Sequence, residues 1–298
     1  MYVIKMKTII SYLAVIAIII ASFGIINLNS RQAVVSSTNG SVDSVCVPIL
    51  MYHSIMKSNS KNGRFIVTES QLEEDLKYLK ENNYTTIVME DLINYVYNNK
   101  PLPEKPVILT FDDGYYNNYV YAYPLLKKYN FKGVLSIIGY YTDMYTENGE
   151  KNENYSHITW DDINEMLSSG TFEFQNHSYN LHTLDKGRNG SKKKKGESKE
   201  AYRKMLSEDL EKLQTEFKSN TGIELTTYTY PFGSVSSDSY DIIKDLGFKC
   251  SLSCESGVNT VTKDPECLYM LKRTIRTPSA SARKILSQGN KIKGKTGN

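Results

Sequence analysis

Asp112 and Asp113 stand side by side at the end of the apolar run Pro106-Val-Ile-Leu-Thr-Phe111, with Gly114 directly after them. Two like charges at the end of a buried segment repel each other, and one is pushed towards its protonated form unless a cation neutralises the pair. A divalent metal ion does this well. Successive side chains of a strand point to opposite faces, so both carboxylates cannot share one face of a regular strand. Gly114 permits a sharp turn, which lets one Asp bind metal while the other sits beside it. On this motif alone, an Asp-Gly turn with a helix cap is the commoner explanation.

His177 and His182 change that balance. They lie in Asn176-His-Ser-Tyr-Asn-Leu-His182, just after the alternating stretch Thr171-Phe-Glu-Phe-Gln175. Two imidazoles five residues apart after a strand converge only across a turn. Neutral imidazole is the commonest metal ligand, and an Asp completes a His-His-Asp set with an open position for water. The chain has four histidines, and two fall here. A third, His53, ends the run Val47-Pro-Ile-Leu-Met-Tyr52, and Tyr230-Pro-Phe-Gly233 follows another strand-like stretch. Chemistry-bearing residues at the exits of four strands are what a barrel active site requires.

The elements that must position them alternate. Strands are expected at 47–52, 85–88, 106–111, 133–138, 171–175, 226–230, 249–252 and 269–271, with helices between most of them. Thr68 with Gln71 and Thr159 with Asp162 are the capping signals of two helices, and Leu72, Leu76 and Leu79 recur at helical spacing. Further helices are expected at about 90–98, 119–129, 200–219, 237–246 and from 279. This is an α/β pattern of some seven parallel βα repeats, a distorted (β/α)7-type barrel. Residues 185–200, with Lys192 to Lys195, interrupt it and read as a mobile, solvated loop; contact with an acidic wall polymer is the functional alternative.

Ahead of the barrel, Lys5 and Lys7 precede an apolar run from about Ile9 to Leu28, long enough to span a bilayer core. The basic flank should stay in the cytoplasm and send the rest of the chain outside. No small-residue cleavage site follows, which favours an uncleaved transmembrane anchor over a cleaved signal. The expected domains are therefore an anchor at 1–28, a linker at 29–46 and a catalytic domain at 47–298. The net charge of +3 is too small for a dedicated nucleic-acid binder. The 23 tyrosines suit a wet sugar groove, although Asn, Lys and Ile are also plentiful and a compositional bias explains them as well. Cys46, Cys250, Cys254 and Cys267 allow a disulfide in an exported protein, but free thiols fit equally and no chemistry is assigned to them.

Thr110-Phe-Asp-Asp-Gly114 resembles the first motif of polysaccharide deacetylases of carbohydrate esterase family 4. His177-Ser178 with His182 resembles the longer form of that family's second motif, found in the poly-N-acetylglucosamine deacetylase branch. Leu50-Met-Tyr-His53 also resembles that branch, and Tyr230-Pro-Phe-Gly233 resembles the third motif. The resemblance implies a base at Asp112, a general acid at His53 and metal ligands at Asp113, His177 and His182. It implies an oxyanion donor at the Phe232 N–H, with Tyr230 and Tyr115 nearby for substrate. The implied cofactor is a divalent ion, Zn²⁺ first, with Co²⁺, Ni²⁺ or Mn²⁺ as alternatives. The implied reaction is hydrolysis of N-acetyl groups on peptidoglycan or poly-N-acetylglucosamine, by a monomer outside the cytoplasm.

Two departures stand out. The family's third motif begins with an Arg that orients the base, and Thr229 occupies that place; Arg273 or Arg276 is the candidate substitute. No His follows His182, so the usual C-terminal His motif is absent. These departures motivate an alternative, a weak or inactive glycan-binding protein on the same fold. A glycosidase would leave the His pair unused.

Overall fold

The computed structural model describes residues 44–58, 63–185 and 187–293. The expected anchor and most of the linker lie outside these residues. Among the described residues, no helix is long and apolar enough to cross a membrane.

The first strand, β1 (Val45–Tyr52), starts two residues earlier than the sequence suggests. Next come β2 (Ser54–Met56) and β3 (Ile66–Thr68), which form a small parallel pair of their own. α1 (Glu69–Glu81) starts where Thr68 Oγ1 accepts the Gln71 N–H at 3.2 Å and Gln71 Oε1 accepts the Thr68 N–H at 3.0 Å. Such a cap contributes about 1 kcal/mol. Leu72, Leu76 and Leu79 are fully buried, as their spacing requires. β4 (Thr85–Thr86) is shorter than expected and leads into α2 (Met89–Asn98).

β5 (Pro106–Phe111) is buried throughout. A π-helical turn at Asn118–Ala122 precedes α3 (Tyr123–Tyr129), where a single helix is the sequence expectation. β6 (Gly133–Ile137) is followed by α4 (Gly139–Asn148), which the sequence pattern does not announce. The second capping box starts α5 (Trp160–Ser168), and then come β7 (Phe172–Asn176) and the long α6 (Lys199–Thr221). β8 (Thr227–Thr229), α7 (Ser239–Asp245), β9 (Cys250–Leu252), β10 (Val258–Val261), β11 (Thr274–Ile275) and α8 (Ala282–Lys293) complete the described chain.

The main sheet runs β10-β1-β5-β6-β7-β8-β9. All neighbours from β1 to β9 are parallel, and β10 joins β1 antiparallel. The last expected strand is displaced: β11 lies at Thr274–Ile275, not at 269–271. Residues 271–276 bond to both flanks. The Leu271 N–H donates to Ser251 O at 2.8 Å and the Arg276 N–H to Met51 O at 2.9 Å. The result is an α/β fold of half-barrel type whose parallel strands all exit on one side.

β5 shows how the sheet's two faces divide. Val107, Leu109 and Phe111 pack into a large apolar cluster with Leu72, Leu76 and Leu79 of α1. Ile108 faces the other way, into a cluster with Val47, Ile49, Val134, Leu252 and residues of α2. Thr110 and Asp112 continue that second face at the strand's period of two.

Residues 187–200, part of the expected solvated loop, make tertiary contacts. Arg188 pairs with Glu197 at 2.6 Å and Lys193 with Asp238 at 2.7 Å. Ser191 is fully buried, and its carbonyl accepts the Tyr202 hydroxyl at 2.8 Å.

Candidate active site

Asp112 leaves β5 on the inward face, and both its oxygens are held by one buried guanidinium. Arg273 Nη1 lies 2.7 Å from Oδ1 and Nη2 lies 2.9 Å from Oδ2. Arg273 is itself anchored by Nε, which donates to Ser253 O at 2.8 Å. Burial pushes the Asp112 carboxyl up, but Arg273 first, then His177 and His53, outweigh it and hold it below the usual range. The candidate substitute is therefore Arg273. Arg276 is engaged elsewhere, with Asp75 at 2.6 Å. Thr229, in the family's Arg position, shares a 2.7 Å hydrogen bond with Ser136.

Asp113 turns out of the strand in the left-handed region, at φ 74°, a conformation that is uncommon for a residue with a side chain. Its Oδ1 is buried between His177 Nε2 at 3.4 Å and His182 Nε2 at 3.3 Å, with no hydrogen-bond partner. The three candidate ligand atoms lie within 4.8 Å of one another. His177 Nδ1 is 2.8 Å from the Thr229 carbonyl, which can only accept, so Nδ1 carries the proton. The neutral ring then presents its Nε2 lone pair to the carboxylate. A divalent cation fits at the point shared by this lone pair, the His182 Nε2 and the anionic oxygen.

The titration tendencies show the same demand for positive charge at this point. Burial alone would raise the Asp113 carboxyl, but the surrounding imidazoles pull it well below the usual range. Burial lowers His177, and the close contact with Asp113 together with the charge of Asp112 reverses this, so it ends raised. Burial and the neighbouring His177 leave His182 lowered.

Around this centre lies a cleft of about 640 Å³, lined among others by His53, Tyr115, Phe65, Phe232 and Cys254. His53 brings a buried Nδ1 that lacks a partner, and its ring centroid is 4.8 Å from that of Phe65. Phe232 sits at φ 57°, half exposed, with its ring 4.1 Å from that of His182. The structure does not bring the Tyr230 side chain to the cleft. It is fully buried, with its hydroxyl 2.8 Å from Ser239 Oγ. A larger hollow, about 1020 Å³, opens where Thr85, Lys132 and Gly170 meet; none of the site residues lines it.

His157 was not foreseen. It stacks on Tyr141 at 4.4 Å and lies 4.8 Å from Tyr115, and burial lowers its pKa to about 4. No motif in its neighbourhood marks it. All four cysteines are free thiols, and Cys254, at the cleft, lies 3.8 Å from Arg273 Nη2.

Solved deacetylases share this fold. The PplD deacetylase of Streptococcus pyogenes, solved in complex with acetate, superimposes with a TM-score of 0.67 at 24% identity, over 82% of this chain and 98% of that one. IcaB from Ammonifex degensii gives 0.68 at 22%, over 82% and 96%. The sequence profile described as polysaccharide deacetylase matches residues 99–251. The YxkH protein of Bacillus subtilis is 30% identical over 236 residues, 79% of this chain and 73% of that protein. The poly-beta-1,6-N-acetyl-D-glucosamine N-deacetylase of Staphylococcus aureus is 29% identical over 219 residues, 69% of this chain and 71% of that one.

The chain belongs to the polysaccharide deacetylase family, carbohydrate esterase family 4, and is an enzyme of that class.

Proposed function

We propose that this chain hydrolyses N-acetyl groups on a cell-surface polysaccharide and releases acetate. The observation that carries this reading is Asp113 Oδ1, partnerless between two imidazole nitrogens and next to the Arg273-bound Asp112. Asp113, His177 and His182 would hold a divalent cation, with Zn²⁺ the first choice for a His-His-Asp set. Such a cation, when bound, supplies Lewis-acid stabilisation of developing negative charge and lowers the pKa of water.

The chain's own residues do the rest. Arg273 keeps Asp112 ionised and fixes its plane, so a carboxylate oxygen takes the proton of the attacking water. The Phe232 N–H, in its left-handed turn beside His182, donates to the oxyanion, a contribution worth about 3 kcal/mol in other enzymes. His53 gives a proton to the departing nitrogen as the C–N bond breaks, leaving acetate and a free glucosamine unit. Tyr115 forms part of the wall that meets the sugar. Tyr230 supports the turn from the core.

The Staphylococcus aureus relatives favour poly-N-acetylglucosamine over peptidoglycan as substrate. The apolar run 9–28 supports an anchored location outside the cytoplasm. The inactive glycan-binding alternative arose from Thr229 standing where the family has Arg. Arg273 supplies that guanidinium from the segment just before β11, which favours the active reading.

The test is acetate release from β-1,6-linked N-acetylglucosamine oligomers and from peptidoglycan fragments. Wild-type protein should release acetate, and Asp112→Asn should lower the rate by about 100-fold or more. Release from peptidoglycan alone would move the substrate. Release from neither would reject the function.

A further inference from the structure

Residues 177–182 carry both candidate imidazoles, and α6 holds this loop from behind. Asp209 of α6 accepts the Tyr179 N–H on Oδ1 at 2.8 Å and the Asn180 N–H on Oδ2 at 2.9 Å. A charged acceptor taking two successive backbone donors is a strong and orienting contact. Within the loop, Ser178 sits at φ 74°, its N–H donates to Asn176 Oδ1 at 2.8 Å, and its Oγ accepts the Leu181 N–H at 3.0 Å. The limb before the turn is fixed a second time, because His177 Nδ1 donates to Thr229 O at 2.8 Å. The outgoing limb, which carries His182, is fixed by the turn, by Leu181 packed against Tyr202 and Leu206, and by Thr183 O, which accepts the Gly190 N–H at 2.9 Å. Tyr179 is also tied through its hydroxyl, which donates to Asp143 Oδ2 at 3.0 Å, and the start of α4 holds the loop carbonyls, Gly139 N–H donating to Ser178 O at 3.2 Å and Tyr140 N–H to Tyr179 O at 2.9 Å; Asp209 is the partner of the loop's Tyr179 and Asn180 N–H groups.

We propose that Asp209 is a positioning residue for the His177–His182 pair, setting the turn between them and thereby the affinity of the site for a divalent cation. This rests on the reading of those residues as ligands. Partners one shell out from a metal typically change its affinity 10- to 100-fold when removed. An Asn at this position keeps one acceptor oxygen but turns an NH₂ donor towards the second N–H.

The test titrates Co²⁺ into chelator-stripped full-length wild type, Asp209→Asn and Asp143→Asn, following the visible absorption of the bound ion. Thermal unfolding of the stripped proteins runs alongside. Wild type should bind one ion per chain, Asp209→Asn should bind it about 10-fold or more weakly with a shifted spectrum, and Asp143→Asn should stay close to wild type. Wild-type affinity in Asp209→Asn overturns the proposal. So does an equal loss in both variants, which would mark general loosening around Tyr179. If Asp209→Asn does not fold, Asp209→Ser, with a single acceptor, is read the same way. No cobalt binding by wild type would overturn the metal reading, and this inference with it.

Discussion

Arg273 and Asp112 face each other through two hydrogen bonds of 2.7 and 2.9 Å, although they lie 161 residues apart in sequence. Neither side chain is more than 3% exposed. A guanidinium fork matched to both oxygens fixes the carboxylate's plane as well as its charge.

Arg273→Met should therefore damage both stability and catalysis. It leaves Asp112 buried without a counter-charge, which costs about 3–5 kcal/mol. Urea unfolding should show that loss, and kcat should fall more than KM rises. Arg273→Lys should fall between, since it keeps the charge and loses the fork. An unchanged kcat in Arg273→Met would mean that Asp112 does not need the orientation.

Asp75 predicts the opposite pattern. It accepts from Arg276 Nε at 2.6 Å, the Tyr52 hydroxyl at 3.1 Å and the Ala282 N–H at 2.9 Å, so it ties α1 to β1 and α8. Asp75→Ala should cost about 3–5 kcal/mol of stability, because it strands a buried guanidinium. Turnover per folded molecule should stay near wild type. A selective loss of kcat at full stability would contradict the structural role.

His157 gives a pH dependence with a definite sign. Burial depresses its folded pKa from 6.5 to about 4. Between these values the unfolded chain binds a proton that the folded chain refuses, so stability is full above about pH 6.5 and is lost as pH falls towards 4. His157→Phe keeps an aromatic ring against Tyr141 and removes the titration. Denaturant midpoints measured from pH 7 to 4 should show a shallower slope in the variant, by up to about 1.4 kcal/mol per pH unit. Identical slopes would refute this origin.

Gly233 is a packing prediction. Its φ is +64°, and a Cβ there would lie 2.6 Å from Cys254 Cβ. Gly233→Ala should destabilise by about 1–3 kcal/mol through strain and overpacking. It should also push Cys254 against the Arg273–Asp112 pair and lower kcat. Wild-type stability and activity would show that the turn can relax.

Much of the site is legible in the sequence because its residues sit where strands end, and a buried parallel strand such as Pro106–Phe111 is apolar but for Thr110. Asp112, Asp113, His177 and His182 could be paired because each segment follows a strand, one largely apolar and one alternating. Arg273 could only be narrowed to two arginines, since the choice depends on which side of residues 271–276 faces the interior. Asp209 and His157 are silent in the sequence: one is a single acid on a long charged helix, the other an imidazole between tyrosines in a loop. Tyr230 shares the Phe232 motif, yet its side chain points into the core, which a turn motif does not encode. The lysine-rich segment reads as solvated, yet Arg188 pairs with Glu197 and Lys193 with Asp238, contacts that periodicity does not encode.

The most direct measurement is acetate release from N-acetylated oligosaccharide by protein stripped with a chelator and then refilled with Zn²⁺, with His177→Ala in parallel. Stripped wild type should fall to background and recover on refilling, while His177→Ala should stay inactive in both states. Full activity in the stripped protein, or wild-type activity in His177→Ala, would contradict the account.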